Sequence, residues 1–180
     1  MISKNKRFLQ RLRVPFGFIV AVVFLLFAEP KPLTLLIGGI VAVIGLIVRG
    51  WSSGHIRKGE TLAVAGPYSY TRNPLYLGSF LIGVGFCLAS SVWWLALVFS
   101  VWFLCVYNPV MRIEAEDLTV AFGANYKEYA RNVPMFFPRF SAWKKPGEKF
   151  DFNLYLRYRE YRATLGSLFA IMILAVRTFF

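Results

Sequence analysis

A polar, aromatic and turn-rich segment, residues 66–78, holds the side chains with the greatest capacity for chemistry. It reads Gly-Pro-Tyr-Ser-Tyr-Thr-Arg-Asn-Pro-Leu-Tyr-Leu-Gly and runs directly into a long apolar stretch. A plain connection between two membrane helices does not need three tyrosines, an arginine and two prolines. A few placed polar groups beside apolar walls are typical of a ligand pocket. We therefore interpret this segment as part of a binding or catalytic site.

Three acidic residues form a second group of candidates near the end of a later apolar run. Glu114 and Asp117 lie three residues apart and share one face of a helix, whereas Glu116 points elsewhere. Charges at helix ends are usually solvated, and we interpret Glu116 and Asp117 in this way. Glu114 lies closest to the membrane, where an unpaired carboxylate is costly, and is therefore a functional candidate.

Two further features have structural interpretations. Gly123 is typical of a helix end, and Tyr126 and Tyr129, three residues apart, predict an amphipathic helix that lies against the membrane surface. His55 follows Ser-Ser-Gly in a basic loop, where a solvated histidine is the usual case. Its proximity to the polar segment leaves a role as a base open.

The composition indicates an integral membrane protein. Of the 180 residues, 57% are hydrophobic and 18% are aromatic, well above the apolar share of a soluble domain. The net charge of +12 comes from basic groups clustered between apolar runs, which favours membrane topology signals over nucleic-acid binding. Two cysteines inside apolar runs and one histidine predict no disulfide framework and no metal site.

Apolar runs set the predicted fold class, an all-α, polytopic membrane helix bundle of about five transmembrane helices. Each run is shorter than the roughly 20 residues that cross a bilayer, so flanking residues must complete the spans. The basic N-terminal arm leads into the first run without a small-residue cleavage site, which favours a retained helix. The five runs are residues 14–28, 33–48, 75–88, 92–106 and 163–176.

The basic residues predict the orientation of these spans. If all five cross, only Lys31 and Arg177 lie on one side, and the other 19 of the 21 Lys and Arg residues lie opposite. The positive-inside rule makes that richer side cytoplasmic, in a multi-pass inner (plasma) membrane protein. The charge distribution tests the fifth span least, because only Arg177 lies beyond it. Residues 155–162 are also compatible with the start of an interfacial amphipathic helix that ends in a re-entrant tail.

Two motifs, in order and at the same membrane boundary, resemble the isoprenylcysteine carboxyl methyltransferase family and the related membrane phospholipid methyltransferases. The similarity covers about residues 50–139. It rests on Gly66-Pro67-Tyr68, Thr71-Arg72-Asn73-Pro74-Leu75-Tyr76-Leu77-Gly78, Glu114 with Leu118, Phe122-Gly123, Tyr126, Tyr129, and Val133-Pro134 through Pro138.

The resemblance implies a methyltransferase that depends on S-adenosylmethionine, with a cytoplasmic cofactor pocket at the ends of the last core helices. It implies that Glu114 holds the polar end of the cofactor. Arg72 either binds at the level of phosphates or ties the loop to Glu114. The other implied cofactor residues are Glu60, Thr61, Leu62 and Ala63, mainly through their backbone, and Tyr68, Asn73, Pro74 and Tyr76.

The implied catalytic residues are Glu114, Arg112 and Asn73. Asn73 stands where the family usually has histidine, and Ala115 stands where it has a second glutamate. Asparagine keeps hydrogen-bonding capacity but cannot act as a general base, so we expect cofactor binding there rather than proton transfer. Arg112 is offset from the family's arginine, and its expected role is to bind a substrate carboxylate.

These observations predict three regions, with a transmembrane hairpin at 1–48, a methyltransferase core at 49–139, and a basic tail with an apolar helix at 140–180. The expected substrate is lipophilic, a prenylcysteine-like carboxylate or a lipid amine, that enters from the bilayer. The expected partners are membrane lipids, not nucleic acid. Two alternatives remain: an NADPH-dependent lipid or sterol reductase, and a non-catalytic scaffold. NADPH binding would favour the first, and cellular function insensitive to Tyr76→Ala and Glu114→Ala the second.

Overall fold

The computed structural model describes residues 4–57, 61–143 and 149–179, with side chains from Phe16 onward. These residues form helices, turns and loops and contain no strand, which confirms the all-α prediction. The elements are α1 (Lys4–Phe27), α2 (Pro32–Ser53), a short 3-10 helix (Gly66–Ser69), α3 (Pro74–Ser90), α4 (Trp93–Asn132), α5 (Phe152–Arg157) and α6 (Tyr161–Phe179).

Three of the described helices, α2, α4 and α6, are long and apolar enough to cross a membrane. Phe16–Phe27 within α1 and the whole of α3 are shorter apolar helices, so a bundle that crosses five times stays a prediction. Large apolar side chains such as Leu36, Leu104 and Phe169 are exposed on the outer surface. Exposed apolar side chains along helices of this length are expected where lipid replaces water as the solvent.

Small residues bring α2 and α3 into direct backbone contact. A Cβ atom added to Gly85 would lie 2.6 Å from both the amide nitrogen of Ala42 and the carbonyl oxygen of Gly38. One added to Gly45 would lie 2.7 Å from the carbonyl oxygen of Gly78. In a bilayer, where apolar burial between helices gives little driving force, such close approach is a main source of helix association.

The long helix α4 changes direction at Gly123, whose φ of 53° and ψ of −123° are not helical. The helix end predicted at this glycine therefore corresponds to a kink, because a residue with a Cβ would be strained in this conformation. Tyr126 and Tyr129 beyond the kink are buried and pack with Leu62 and Val64. The prediction that they lie against the membrane surface was wrong, because this stretch folds back onto the loop that follows α2.

The tail does not continue as one interfacial helix. Helix α5 ends at Arg157, and Arg159 adopts the left-handed conformation with φ of 55°. Helix α6 begins two residues later and is 19 residues long, which is enough to span a membrane by its length and composition. The turn between α5 and α6 brings Glu160 into the cavity described below.

Candidate functional site

The polar segment before α3 is hydrogen-bonded to the chain that follows α4. The amide of Arg72 donates to the carbonyl of Pro134 at 2.9 Å, and the amide of Arg139 donates to the carbonyl of Tyr70 at 3.0 Å. Backbone groups that are removed from water need partners within the protein, and the two segments supply them to each other. This pairing brings together two motifs about 60 residues apart in the sequence.

Side chains strengthen the same connection. The Thr71 hydroxyl donates to the carbonyl of Phe136 at 2.8 Å, and the Asn73 amide nitrogen donates to the carbonyl of Met135 at 2.9 Å. Thr71 is almost fully buried, so its hydroxyl has no access to water as an alternative partner. Asn73 therefore has a clear positional function in addition to its place in the cavity wall.

Glu114 is held by a tyrosine from the first turn of α3. The Tyr76 hydroxyl donates to a carboxylate oxygen of Glu114 at 2.6 Å, a distance typical of a charge-assisted hydrogen bond. The Tyr76 ring packs edge-on against Tyr107, with 5.2 Å between the ring centroids. These contacts fix the Glu114 carboxylate between α3 and α4.

Among the described residues three buried side-chain donors lack a hydrogen-bond partner, and two of them, on Tyr68 and Arg72, belong to residues of the cavity described below, whereas the third is Nε1 of Trp102. The Tyr68 hydroxyl and the Nε of Arg72 are both buried and unpaired, although Arg72 also donates from Nη1 to the Tyr126 hydroxyl at 3.2 Å. Of the two roles left open for Arg72, the contact with Tyr126 favours loop fixing, with this tyrosine in place of Glu114. Buried unpaired donors are rare in native proteins, so two beside one cavity indicate a ligand that accepts hydrogen bonds.

Burial raises the pKa of the Tyr68 hydroxyl well above its ordinary value, and the nearby Tyr129 and Glu114 raise it further. Desolvation disfavours the charged phenolate form. The group therefore stays protonated at physiological pH and is available as a hydrogen-bond donor. Its backbone is fixed by the Tyr129 hydroxyl, which donates to the Tyr68 carbonyl at 2.8 Å.

A cavity of about 760 Å³ lies at the meeting point of these groups, within the range of small-molecule and cofactor sites. Its walls contain most of the cofactor residues that the sequence predicts. Glu60 is the exception, because it lies outside the described residues. The predicted residues that line the cavity are Thr61, Leu62, Ala63, Tyr68, Arg72, Asn73, Pro74, Tyr76 and Glu114.

Arg112 is not brought to the cavity. Its side chain is exposed, and its Nε donates to Asn108 at 3.2 Å, one turn earlier on α4. Arg112 and Glu114 lie two positions apart, which is about 200° around a helix, so the two side chains leave opposite faces. The role in binding a substrate carboxylate stays a prediction for a residue outside the described cavity.

The sequence reasoning missed several residues of the cavity wall. Asp117 lines the cavity, whereas it was interpreted as solvated; its spacing of three residues from Glu114 was the available signal. Arg49 and Glu160 also line it as an ion pair, and residues 111 positions apart give no sequence signal of pairing. His55 is buried, with its Nδ1 2.9 Å from the Trp51 carbonyl, so the prediction of a solvated loop histidine was wrong.

A second cavity of about 230 Å³ continues from the first. Gly17, Ala21 and Ser79 line both cavities, so the two adjoin. The walls of the second are almost entirely apolar, formed by side chains of α1, α3, α4 and α6. We call this second cavity the apolar chamber. Together the two cavities suit a ligand pair with one polar and one lipophilic component.

An apolar helix bundle with a cofactor-sized cavity at its helix ends is the architecture expected of an integral membrane enzyme. The family model for phospholipid methyltransferase matches residues 33–125, and the chain belongs to this family. The resemblance inferred from the two motifs is thereby confirmed.

Three individual proteins are also similar to this chain. The chain is 36% identical over 118 residues to the cobalt-zinc-cadmium resistance protein CzcN of Cupriavidus metallidurans, covering 63% of this chain and 53% of that protein. It is 33% identical over 112 residues to the nickel-cobalt-cadmium resistance protein NccN of Alcaligenes xylosoxydans xylosoxydans, covering 61% and 52%. It is 25% identical over 146 residues to the protein-S-isoprenylcysteine O-methyltransferase of Schizosaccharomyces pombe, covering 77% and 61%.

The chain thus spans about half the length of the two resistance proteins. No solved structure matches it significantly.

Proposed function

We propose that the chain is an S-adenosylmethionine-dependent methyltransferase that acts on a lipophilic acceptor at the membrane boundary. The observation that carries this proposal is the cavity of about 760 Å³, in which the Glu114 carboxylate accompanies the unpaired donors of Tyr68 and Arg72. A carboxylate suits the ammonium group of the cofactor, and the two donors suit its carboxylate or hydroxyl oxygens. The residues present therefore fit this group.

The chain's own residues would bind and orient rather than transfer protons. Glu114, fixed by Tyr76, would hold the ammonium end, and aromatic walls such as Tyr107 and Phe122 would pack against the adenine ring. When bound, the cofactor supplies a methyl group on a positively charged sulfur. Aligned approach and exclusion of water are the main contributions that the protein can then make. Asn73, without a titrating group, is compatible with this mechanism.

The apolar chamber supports a lipophilic acceptor. Its walls suit a hydrocarbon chain, and its junction with the large cavity would leave the polar end of the acceptor near the methyl donor. A prenylcysteine-like carboxylate and a lipid amine both have this division into apolar and polar parts. We propose entry from the bilayer, with the polar segments on the cytoplasmic side of the inner membrane, on the strength of the charge asymmetry. Family membership favours methyl transfer over the reductase and the scaffold.

Calorimetric titration of the purified full chain with S-adenosylmethionine and S-adenosylhomocysteine tests the proposal. We expect both to bind, and Glu114→Gln to weaken binding about 10- to 100-fold, because a hydrogen bond to a charged group contributes about 1.5–3 kcal/mol. Glu116→Gln is the matched control, since this exposed carboxylate lies two residues away on the same helix and outside the cavity wall.

Absence of binding of either ligand at millimolar concentration would refute the proposal. Equal losses in the Glu114→Gln and Glu116→Gln variants would remove the assigned role of Glu114. Binding of NADPH without any response to S-adenosylmethionine would establish the reductase alternative in its place.

A further inference from the structure

An ion pair at the edge of the large cavity joins three helices. Arg49, near the end of α2, donates from Nε to a Glu160 carboxylate oxygen at 3.0 Å and from Nη2 to the two oxygens at 3.0 and 2.8 Å. Its Nη1 donates to the hydroxyl of Ser79 and reaches the carbonyl of Leu75 at 3.4 Å, both on α3. Glu160 lies directly before α6. One guanidinium group therefore connects α2, the first turns of α3 and the start of α6.

The path of the Arg49 side chain depends on a glycine of α3. A Cβ atom added to Gly78 would lie 2.5 Å from Cγ of Arg49, so a larger residue would displace the arginine. The same close approach brings the backbones of α2 and α3 together. The geometry of the pair is thus set by the α2–α3 interface.

The pair lies at the junction of the two cavities. Ser79, which accepts from Arg49, is one of the three residues that line both of them. Helix α6, which begins next to Glu160, contributes Ala170 and Leu174 to the wall of the apolar chamber. A change at the start of α6 would therefore alter the chamber.

Few side chains of α6 pack against the other helices of the bundle. Among its described residues only Ser167 and Leu174 are buried, whereas Leu165, Leu168 and Phe169 are exposed. Its far end is held by Arg177, whose Nη1 donates to the carbonyls of Leu25 and Leu26 at the end of α1. Polar contacts at both ends thus supplement the limited burial along its length.

The charges of the pair are substantially removed from solvent. The Arg49 side chain is 23% exposed and the Glu160 side chain 13% exposed. A buried pair adds little net stability compared with apolar residues, but removal of one partner leaves an uncompensated charge and is strongly unfavourable. Bidentate geometry also specifies the orientation of the two groups, which a single contact would not do. Such a pair is suited to positioning a helix.

We propose that the Arg49–Glu160 pair positions α6 as the wall of the apolar chamber and thereby sets how tightly the lipophilic acceptor binds. This inference rests on the proposed function only for the identity of the chamber's ligand. Arg49 and Glu160 are positioning residues, since they act on the acceptor through α6. Loss of the Glu160 carboxylate widens the chamber more than it disturbs the Glu114 carboxylate, which is fixed by Tyr76.

The width of the chamber can be measured without any activity. Nitroxide labels at exposed Val101 on α4 and exposed Phe169 on α6, in a Cys87→Ala and Cys105→Ala background, report the distance across it by pulsed electron spin resonance. We expect one narrow distribution in the otherwise unchanged chain and a broader, longer one in Glu160→Gln. Glu160→Asp, which keeps the carboxylate, should retain the narrow distribution.

Asp151→Asn is the matched control for loss of a carboxylate. Asp151 forms a longer, more exposed pair with Arg57 at 3.9 Å and caps α5, a function that asparagine also performs. An unchanged distribution in Glu160→Gln would overturn the proposal. A change in Asp151→Asn as large as in Glu160→Gln would overturn it as well, since it would show a general effect of charge.

Kinetics separate positioning from a general structural effect. With N-acetyl-S-farnesylcysteine as the acceptor probe, Glu160→Gln should raise the acceptor KM about tenfold and change kcat less than about twofold. Calorimetry should show a smaller loss of affinity for S-adenosylhomocysteine than for the acceptor, because Glu160 is one group among the many that line the large cavity. Equal losses of acceptor and cofactor binding would contradict the inference. A chain that binds no S-adenosylhomocysteine would instead refute the proposed function, and the distance measurement would still decide the role of the pair.

Discussion

The two sides of the large cavity are built by different means. On the side of α2 and α3, backbones touch at Gly38 and Gly85, and the polar segment before α3 is hydrogen-bonded to the chain after α4. On the side of α6, few side chains are buried and arginines hold the helix near its two ends. The first arrangement resists deformation, because packed backbones have no freedom to adjust. The second depends on a small number of polar contacts, each of which can be exchanged.

This difference matches what the proposed cofactor and the proposed acceptor would require. A cofactor that is the same in every turnover benefits from groups held in fixed positions, and Glu114, Tyr76 and Asn73 all lie on the first side. A lipophilic acceptor that arrives from the bilayer requires a wall that can open and close. The apolar chamber borders α6, the helix that is held by few buried side chains and a small number of polar contacts.

The largest expected effect comes from adding a methyl group at the α2–α3 contact. A Cβ at Gly38 would overlap the Gly85 carbonyl oxygen and lie 2.5 Å from the amide nitrogen of Ala89. Because backbone cannot move aside as a side chain does, Gly38→Ala should lower the free energy of unfolding by about 3 kcal/mol. Thermal unfolding in detergent, followed by circular dichroism, measures this.

The neighbouring glycine supplies the control. A Cβ at Gly39 meets nothing within 4 Å, so Gly39→Ala should be neutral or stabilise the chain by up to about 1 kcal/mol through helix propensity. A Gly38→Ala variant as stable as Gly39→Ala would show that α2 and α3 are not in backbone contact. The contrast between the two sides of the cavity would then be lost.

A smaller effect on the free energy of unfolding is expected at Tyr68, where removal of the hydroxyl should stabilise the free chain. Its hydroxyl is buried without a partner, so Tyr68→Phe should raise the stability of the free chain by about 1 kcal/mol. The same substitution should reduce the increase in Tm that S-adenosylhomocysteine produces, because a donor to the ligand is lost. Thermal unfolding with and without the ligand gives both quantities.

Tyr76→Phe is the matched comparison for Tyr68→Phe. The Tyr76 hydroxyl donates to Glu114, so its removal should destabilise the free chain by about 1.5–3 kcal/mol. If Tyr68→Phe also lowered the stability of the free chain and left the ligand effect unchanged, its hydroxyl would have an internal role. The assignment of Tyr68 to ligand binding would then be wrong.

The sequence predicts those parts of the site whose contacts join residues close together in the chain. It does not predict contacts between residues far apart in the chain. The helical class, the membrane environment and the motifs around Tyr76 and Glu114 are readable because hydrophobic runs and local spacing carry them. Helix periodicity predicts that Asp117 lies on the same helix face as Glu114, but it does not predict how exposed the Asp117 side chain is. The pairing of Arg49 with Glu160 has no local signature, since it depends on how α6 returns to α2.

The wrong predictions for His55 and Tyr126 both concern the burial of the side chain. His55 lies in a stretch of serine, glycine and basic residues, which favours a solvated loop, yet it is enclosed by Trp51, Gly66 and Phe150. Tyr126 has the spacing of a membrane-surface helix, but the kink at Gly123 redirects the chain onto its own loop. In both cases tertiary contacts from elsewhere in the sequence determine exposure.

The smallest expected effect tests the burial of Tyr68 through pH. Burial raises the pKa of its hydroxyl above the ordinary value, so the folded chain keeps the proton at a pH where the unfolded chain, with a pKa of about 10, releases it. The associated stability is complete below about pH 10 and is lost as pH rises further toward the folded-state pKa, by at most about 1.4 kcal/mol per pH unit.

The comparison of the unchanged chain with Tyr68→Phe isolates this effect, because the two chains differ only in this hydroxyl. The difference in Tm between them should be constant from pH 7 to 9 and widen above pH 10, with Tyr68→Phe the more stable. Parallel curves up to pH 11 would show that the Tyr68 hydroxyl is solvated in the folded chain. A solvated hydroxyl has water as a partner, so the rigid side of the cavity would then lack one of the two unpaired donors that support cofactor binding there.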